Sequence, residues 1–156
     1  MSVNQKKIWI TGASSGIGRA LALKFAKENW QVAVSARRKE LLNELAQNKN
    51  ILSFPMDITD DNLVVTTFSN ILNEFKDLDL CVFCSGAYDP KLEKEINKEQ
   101  IKKIMNINFF GVLNCIKTVE DYFKNKKNGH ISIVSSIAAY RGLPNSSGYG
   151  PSKAAL

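Results

Sequence analysis

Lys7-Ile8-Trp9-Ile10-Thr11-Gly12-Ala13-Ser14-Ser15-Gly16-Ile17-Gly18 runs from a short β-rich segment into a glycine-rich turn. The apolar residues Ile17, Ala20, Leu21 and Phe25 follow at helical spacing. Strand, turn and helix in that order put backbone N–H groups at a helix start. Glycines there permit a tight turn and the close approach of an anion such as a pyrophosphate. The spacing is G-x-x-x-G-x-G rather than G-x-G-x-x-G, so a dinucleotide turn is matched in mechanism and not in letter.

The same alternation continues along the chain. Strands are expected at Lys7–Thr11, Gln31–Ser35, Ile51–Met56, Asp79–Cys84 and His130–Ser135. Leu41, Leu42 and Leu45 mark a second helix. A third carries Val64, Phe68, Ile71, Leu72 and Phe75, with Thr59 as its expected N-cap. A long fourth carries Ile101, Met105, Val112, Ile116, Val119 and Phe123. Alternation of this kind implies βαβ units with right-handed crossovers, hence an α/β doubly wound parallel sheet with helices on both faces. The irregular stretches 86–92 and 137–148 follow strand ends, where ligands bind in open α/β sheets. No repeat or linker divides the chain, so residues 1–156 read as one dinucleotide-binding, Rossmann-like domain.

Composition sets bounds on function. Apolar residues make up 44% and charged residues 23%, an ordinary globular balance. No apolar run approaches the ~18 residues that span a bilayer, and the N-terminus lacks a signal-peptide core. No membrane partner and a cytoplasmic location are the expectations. The net charge of +6 comes from scattered lysines with no interleaved aromatics, which argues for a solvated surface and no nucleic acid. Cys81-Val82-Phe83-Cys84 matches C-x-x-C but lies inside an apolar run without a second ligand pair. Buried thiols are expected there, and no metal.

Two further segments carry chemistry. Val34-Ser35-Ala36-Arg37-Arg38 follows the second strand, placing Arg37 nineteen residues after Gly18, where a carboxylate would otherwise meet a ribose 2′-hydroxyl. A guanidinium fork suits a 2′-phosphate, so NADP(H) is favoured over NAD(H). Tyr149-Gly150-Pro151-Ser152-Lys153 sets a phenol and an ammonium on one helix face, with Ser136 thirteen residues before the tyrosine. Pro151 places the helix start close to Ser147 or Gly148. Ser135 rivals Ser136 at the same strand end. His130 has no partner in view and reads as structural.

These residues resemble the short-chain dehydrogenase/reductase family in its single-domain branch. The shared motifs are Thr11–Gly18, Asp57 after the third strand, Asn108-Phe109-Phe110-Gly111, and the ordered Ser136, Tyr149 and Lys153. The resemblance implies hydride transfer between nicotinamide and a carbonyl or alcohol carbon of a small-molecule substrate. Its implied catalytic set is Asn108, Ser136, Tyr149 and Lys153. Its implied cofactor set is Gly12, Ser14, Ser15, Gly16, Ile17, Gly18, Arg37, Arg38, Asp57, Ile58, Cys84 and Gly86, joined by Tyr149 and Lys153. Asn108 is implied as a helix brace, as a link in a proton relay through Lys153, or as both. Family members commonly form homo-oligomers, and for this chain that is left open.

The chain departs from the family pattern twice. Phe83-Cys84-Ser85-Gly86 stands where the family carries Asn-Asn-Ala-Gly, so a thiol replaces a bracing carboxamide. The sequence also stops at Leu156, so the expected sheet is truncated after the fifth strand and the start of the following helix. The rival to an enzyme is a non-catalytic nucleotide-binding fragment.

Overall fold

The protein is described by a computed structural model over residues 5–156. Five strands, β1 (Lys7–Thr11), β2 (Gln31–Ser35), β3 (Ile51–Ser53), β4 (Leu80–Phe83) and β5 (His130–Ile133), pair in the order β3-β2-β1-β4-β5. Every pairing is parallel, with Ile10 registered against both Val34 and Val82. The chain leaves β3 at one edge and re-enters the sheet beside β1 as β4. The crevice above the carboxyl ends of β1 and β4 is therefore a topological switch point, where open α/β sheets bind ligands.

The strand periodicity of two divides the interior into two cores. Trp9, Ala33, Cys81 and Phe83 point to one face and meet Phe68, Ile71, Val112 and Val119. Ile8, Ile10, Val32, Val34 and Val82 point to the other and meet Ala22, Ala26, Leu42 and Leu45. Helices α1 (Gly16–Lys27) and α2 (Lys39–Leu45) cover the second face; α3 (Asp61–Phe75) and α5 (Gly111–Lys126) cover the first. Trp9 stacks on Phe68 with ring centroids 5.8 Å apart, and its indole N–H donates to Ser35 Oγ at 3.0 Å. The buried polar tip is thus satisfied.

Several expectations shift for identifiable reasons. The third strand is formally shorter than Ile51–Met56, although Phe54 N and Met56 N still donate to Val34 O and Ala36 O. Pro55 between them has no N–H to give the ladder. The expected N-cap Thr59 is replaced by Asp60, whose carboxylate accepts from Leu63 N at 3.0 Å. Thr59 is held in a turn by Asp57, which accepts both its N–H and its hydroxyl.

In α1 the buried face is Gly18, Ala22 and Ala26, while Ile17 is 60% exposed and Ala20 is also exposed. This helix approaches the sheet so closely that only small side chains fit beneath it. Leu21 and Phe25 pack along its flank. The long fourth helix is divided into α4 (Lys98–Met105), a π-helical turn at Asn106–Phe110, and α5. Such insertions concentrate at functional sites. A 3₁₀ turn (Ile137–Ala139) and α6 (Tyr149–Ala154) follow β5. Among the described residues, no helix is long and apolar enough to cross a membrane. Cys81, Cys84 and Cys115 are free thiols, and burial pushes Cys115 up to about 12.

The opposite end of the sheet is tied by a polar knot. Tyr122 donates to Asp77 Oδ1 at 2.7 Å and its oxygen accepts from Leu78 N at 3.0 Å. Lys126 donates to Leu78 O at 2.7 Å and lies 2.7 Å from Asp77 Oδ1. Burial pushes the Asp77 carboxyl up, but hydrogen bonds from Lys126, Tyr122 and Leu78 N outweigh it and bring it down to about 2. Because the folded value lies below the ordinary 3.8, this contribution is present above pH 3.8 and is lost as pH falls toward 2. Asp77→Asn should flatten that limb of the stability–pH curve. Tyr122→Phe should lower unfolding free energy by about 1 kcal/mol in denaturant titrations.

Candidate active site

The site begins where β1 ends. Gly12 has φ +69, and a Cβ there would lie 2.7 Å from Ser85 N and 2.8 Å from the Cys84 carbonyl carbon. The turn after β1 and the end of β4 are therefore in backbone contact, and no side chain fits between them. A Cβ on Gly18 would lie 2.6 Å from Gly12 O, so the first turn of α1 sits directly on the same loop. Ser15, the N-cap of α1, is extended and makes no capping bond with its side chain. The leading N–H groups of this helix consequently face the cleft, an arrangement suited to an anion.

A cavity of about 340 Å³ opens above this contact. Gly12, Ser14, Ser15, Gly16, Ile17 and Gly18 line one side, Arg37, Arg38, Asp57 and Ile58 a second, and Cys84 and Gly86 the floor. Ala36, Met56, Ser85, Ile107 and Val134 complete the lining, and sequence reading does not single them out. Arg38 donates to Ser14 Oγ at 2.8 Å and to Ser15 Oγ at 2.7 Å, which draws its guanidinium over the helix start. Arg37 leans the other way, 4.0 Å from Asp57 Oδ2. Both guanidinium groups thus border the cavity, and Arg38 is the more firmly anchored.

Tyr149 and Lys153 do not line this cavity, yet Lys153 reaches its floor. A Cβ on Gly86 would lie 3.5 Å from Lys153 Nζ and 3.6 Å from Asn108 Oδ1, so amine and carboxamide converge beneath the loop. Lys153 is only 5% exposed and donates to Val134 O at 2.9 Å. Burial pulls its ammonium below the ordinary lysine range, opposed by the nearby Cys84. Burial pushes the Cys84 thiol up to about 11, with Lys153 opposing.

Asn108, fully buried within the π-helical turn, is completely employed. Its Oδ1 accepts from Ala87 N at 2.6 Å, and its Nδ2 donates to Ala87 O and Ser152 Oγ. Ser152 passes the connection on by donating to Tyr149 O at 2.7 Å. Sequence reading misses Ser152; its one available signal is a small hydroxyl three residues after Tyr149, on the buried side of the helix.

Ser136 is half-buried and its Oγ accepts from Ala138 N at 3.2 Å, capping the 3₁₀ turn. Ser135 Oγ, the rival, donates to Lys153 O. The Tyr149 ring packs on Tyr88 with centroids 4.4 Å apart, and Lys153 Nζ lies 6.0 Å from its centroid. Among the described residues, no hydrogen bond joins the phenol to Ser136 or Lys153. The structure brings tyrosine and lysine together on α6 without linking them directly. His130 stands exposed at the start of β5, away from these groups.

The chain belongs to the short chain dehydrogenase family, which it matches over residues 6–156. It is 34% identical over 158 residues to dehydrogenase/reductase SDR family member 7 of Mus musculus, covering 96% of this chain and 47% of that protein. Its fold superposes on that of ElxO with NADP bound at TM-score 0.87 and 28% identity, over 97% of this chain and 63% of that one. NAD⁺-bound xylitol dehydrogenase superposes at TM-score 0.87 and 26% identity, over 99% and 62%. The chain therefore spans about half to two thirds of the length of these proteins. Its architecture is the doubly wound, Rossmann-like α/β fold.

Two variants test this geometry. Gly12→Ala has no room for its methyl and forces an unfavourable left-handed φ, so the β1–β4 contact should open, with a stability loss of about 2 kcal/mol or more. Lys153→Met removes a buried charge, and about 1 kcal/mol of added stability is expected at neutral pH. Since the folded lysine binds its proton less tightly than the unfolded one, the wild type should gain stability as pH rises toward 10.5, and the Met variant should not. Thermal melts across pH read both.

Proposed function

We propose that this chain carries the cofactor half and catalytic groups of an NADP(H)-dependent oxidoreductase acting between a carbonyl and an alcohol. The observation that carries this reading is the buried ammonium of Lys153, on the same helix face as Tyr149 and packed beneath Gly86 of the glycine-walled cleft. A surface-seeking side chain held in the interior by one carbonyl is a costly arrangement. Such arrangements gather where chemistry requires them.

The cradle fits a dinucleotide. Gly12 and Gly18 leave backbone in contact where any Cβ would intrude, and the α1 N–H groups face outward. Gly12, Ser14, Ser15, Gly16, Ile17 and Gly18 would hold the pyrophosphate. Arg37 and Arg38 would meet a 2′-phosphate, Arg38 after exchanging its serine partners for it. Asp57 and Ile58 would border the adenine, and Cys84 and Gly86 the ribose. When bound, the nicotinamide supplies hydride chemistry.

The remaining steps belong to side chains. Tyr149 would give its phenolic proton to the oxygen of a substrate carbonyl during reduction, or take the alcohol proton during oxidation. Ser136 would turn its hydroxyl proton toward the same oxygen as charge develops there; among the described residues, Ser136 Oγ only accepts, from Ala138 N. Asn108 and Ser152 would hold the helix backbone that carries Tyr149 and Lys153. The partner so implied is a small carbonyl or alcohol compound.

NADPH oxidation with a panel of ketones and aldehydes tests this. Tyr149→Phe should lower kcat by about 10²–10⁴-fold with NADPH affinity retained. Arg38→Ala should weaken NADPH by about tenfold or more and leave NADH nearly unchanged. Equal turnover by wild type and Tyr149→Phe would reject the catalytic role. Tight NADPH binding with no turnover would favour a nucleotide-binding protein.

A further inference from the structure

The segment Lys91-Leu92-Glu93-Lys94-Glu95 between β4 and α4 reads as a solvated run of charges, and four of its five residues are exposed. Glu93 is the exception, at 2% exposure. Its Oε2 accepts from Gly148 N at 2.7 Å and from Tyr149 N at 2.9 Å, closing the N-terminus of α6 from 55 residues away. Among the described residues, its Oε1 is buried without a partner. Burying a carboxyl group is costly, and an unpartnered oxygen adds to the cost. A distant acid in this position therefore calls for a specific reason.

The reason lies in the packing of α6. A local cap would use a short polar side chain at the N-cap position, here Gly148. A Cβ there would lie 3.2 Å from Ile101 Cα and 3.3 Å from Ile104 Cδ1, so α4 occupies the space a capping side chain needs. The acceptor must come from elsewhere, and a negatively charged one also suits the helix dipole. The same loop lays the Tyr88 ring on the Tyr149 ring at 4.4 Å, and Ala87 is bonded to Asn108. Tyr149 is thus held at its N–H by Glu93, at its carbonyl by Ser152 and at its ring by Tyr88.

We propose that Glu93 is a positioning residue that sets the depth and direction of the Tyr149 phenol by capping its helix; the catalytic consequence rests on the oxidoreductase reading above. Small displacements of a reacting group carry large rate penalties, so the effect should fall on kcat and spare cofactor affinity.

The test uses Glu93→Leu and Glu93→Gln in the full chain, read by NMR and by kinetics. In wild type the Gly148 and Tyr149 amide protons should be shifted downfield and slow to exchange. Glu93→Leu should move both upfield, speed their exchange by about tenfold or more, and change the Tyr149 ring signals. Its kcat should fall by about 10–100-fold at unchanged NADPH Kd. Glu93→Gln, which keeps an acceptor, should stay close to wild type in both readouts, and Glu93→Asp, one methylene too short to reach both amides, takes the place of Glu93→Leu if that variant does not fold. Unchanged amide protection in Glu93→Leu or Glu93→Asp would remove the cap. Lost protection with unmoved Tyr149 ring signals, or with unchanged kcat, would reduce Glu93 to a structural role. If wild type shows no turnover, the oxidoreductase reading fails by itself, and the amide and ring signals still decide whether Glu93 positions Tyr149.

Discussion

Gly12 and the end of β4 touch through backbone alone, with Gly18 stacked behind them, and the rest of the molecule is arranged around that contact. It brings the first turn of α1 onto the loop, so small residues must line the underside of the helix. It leaves the N–H groups of that turn pointing into open space. It also fixes where the chain leaves β4, and so where Gly86 and Ala87 meet the amine of Lys153 and the carboxamide of Asn108. Strand pairing and core burial supply the bulk of the stability, but they do not create a cleft. The cleft exists because two backbones meet where a single methyl group would separate them.

A second constraint works from the far side. The π-helical turn at Asn106–Phe110 places Asn108 wholly inside the protein, where its carboxamide ties the loop after β4 to Ser152 and through it to Tyr149. Asn108 thereby braces the loop after β4 from one helix away. The loop after β4, the long helix and α6 form one hydrogen-bonded unit, with Lys153 buried at its centre. Held this way, the lysine and tyrosine need no direct bond to keep their relative placement.

The architecture was legible because it rests on local pattern. Short β-rich runs separated by helix-period segments mark all five strands within a few residues. The discrepancies trace to particular atoms: Pro55 has no N–H for the ladder, and Asp57 engages Thr59, so Asp60 caps α3. The buried face of α1 escapes hydrophobic periodicity, which finds large apolar residues, whereas close approach to the sheet selects Gly18, Ala22 and Ala26. In the candidate site, glycine spacing, Arg37–Arg38 and the Tyr149–Lys153 pair stand out as motifs. Ser152 and Glu93 do not, because their roles depend on partners 44 and 55 residues away. Nothing about Glu93 in sequence separates it from the charges on either side; its role comes from the crowding of Gly148 against α4, which exists only in the folded chain.

The most direct measurement is a crystal structure of the chain grown with NADPH. The account predicts the pyrophosphate against the Gly12–Gly18 turn, the 2′-phosphate held by Arg37 and Arg38, and the reactive face of the nicotinamide turned toward the Tyr149 hydroxyl. A dinucleotide seated elsewhere, or one in this cleft with its nicotinamide turned away from Tyr149, would contradict it.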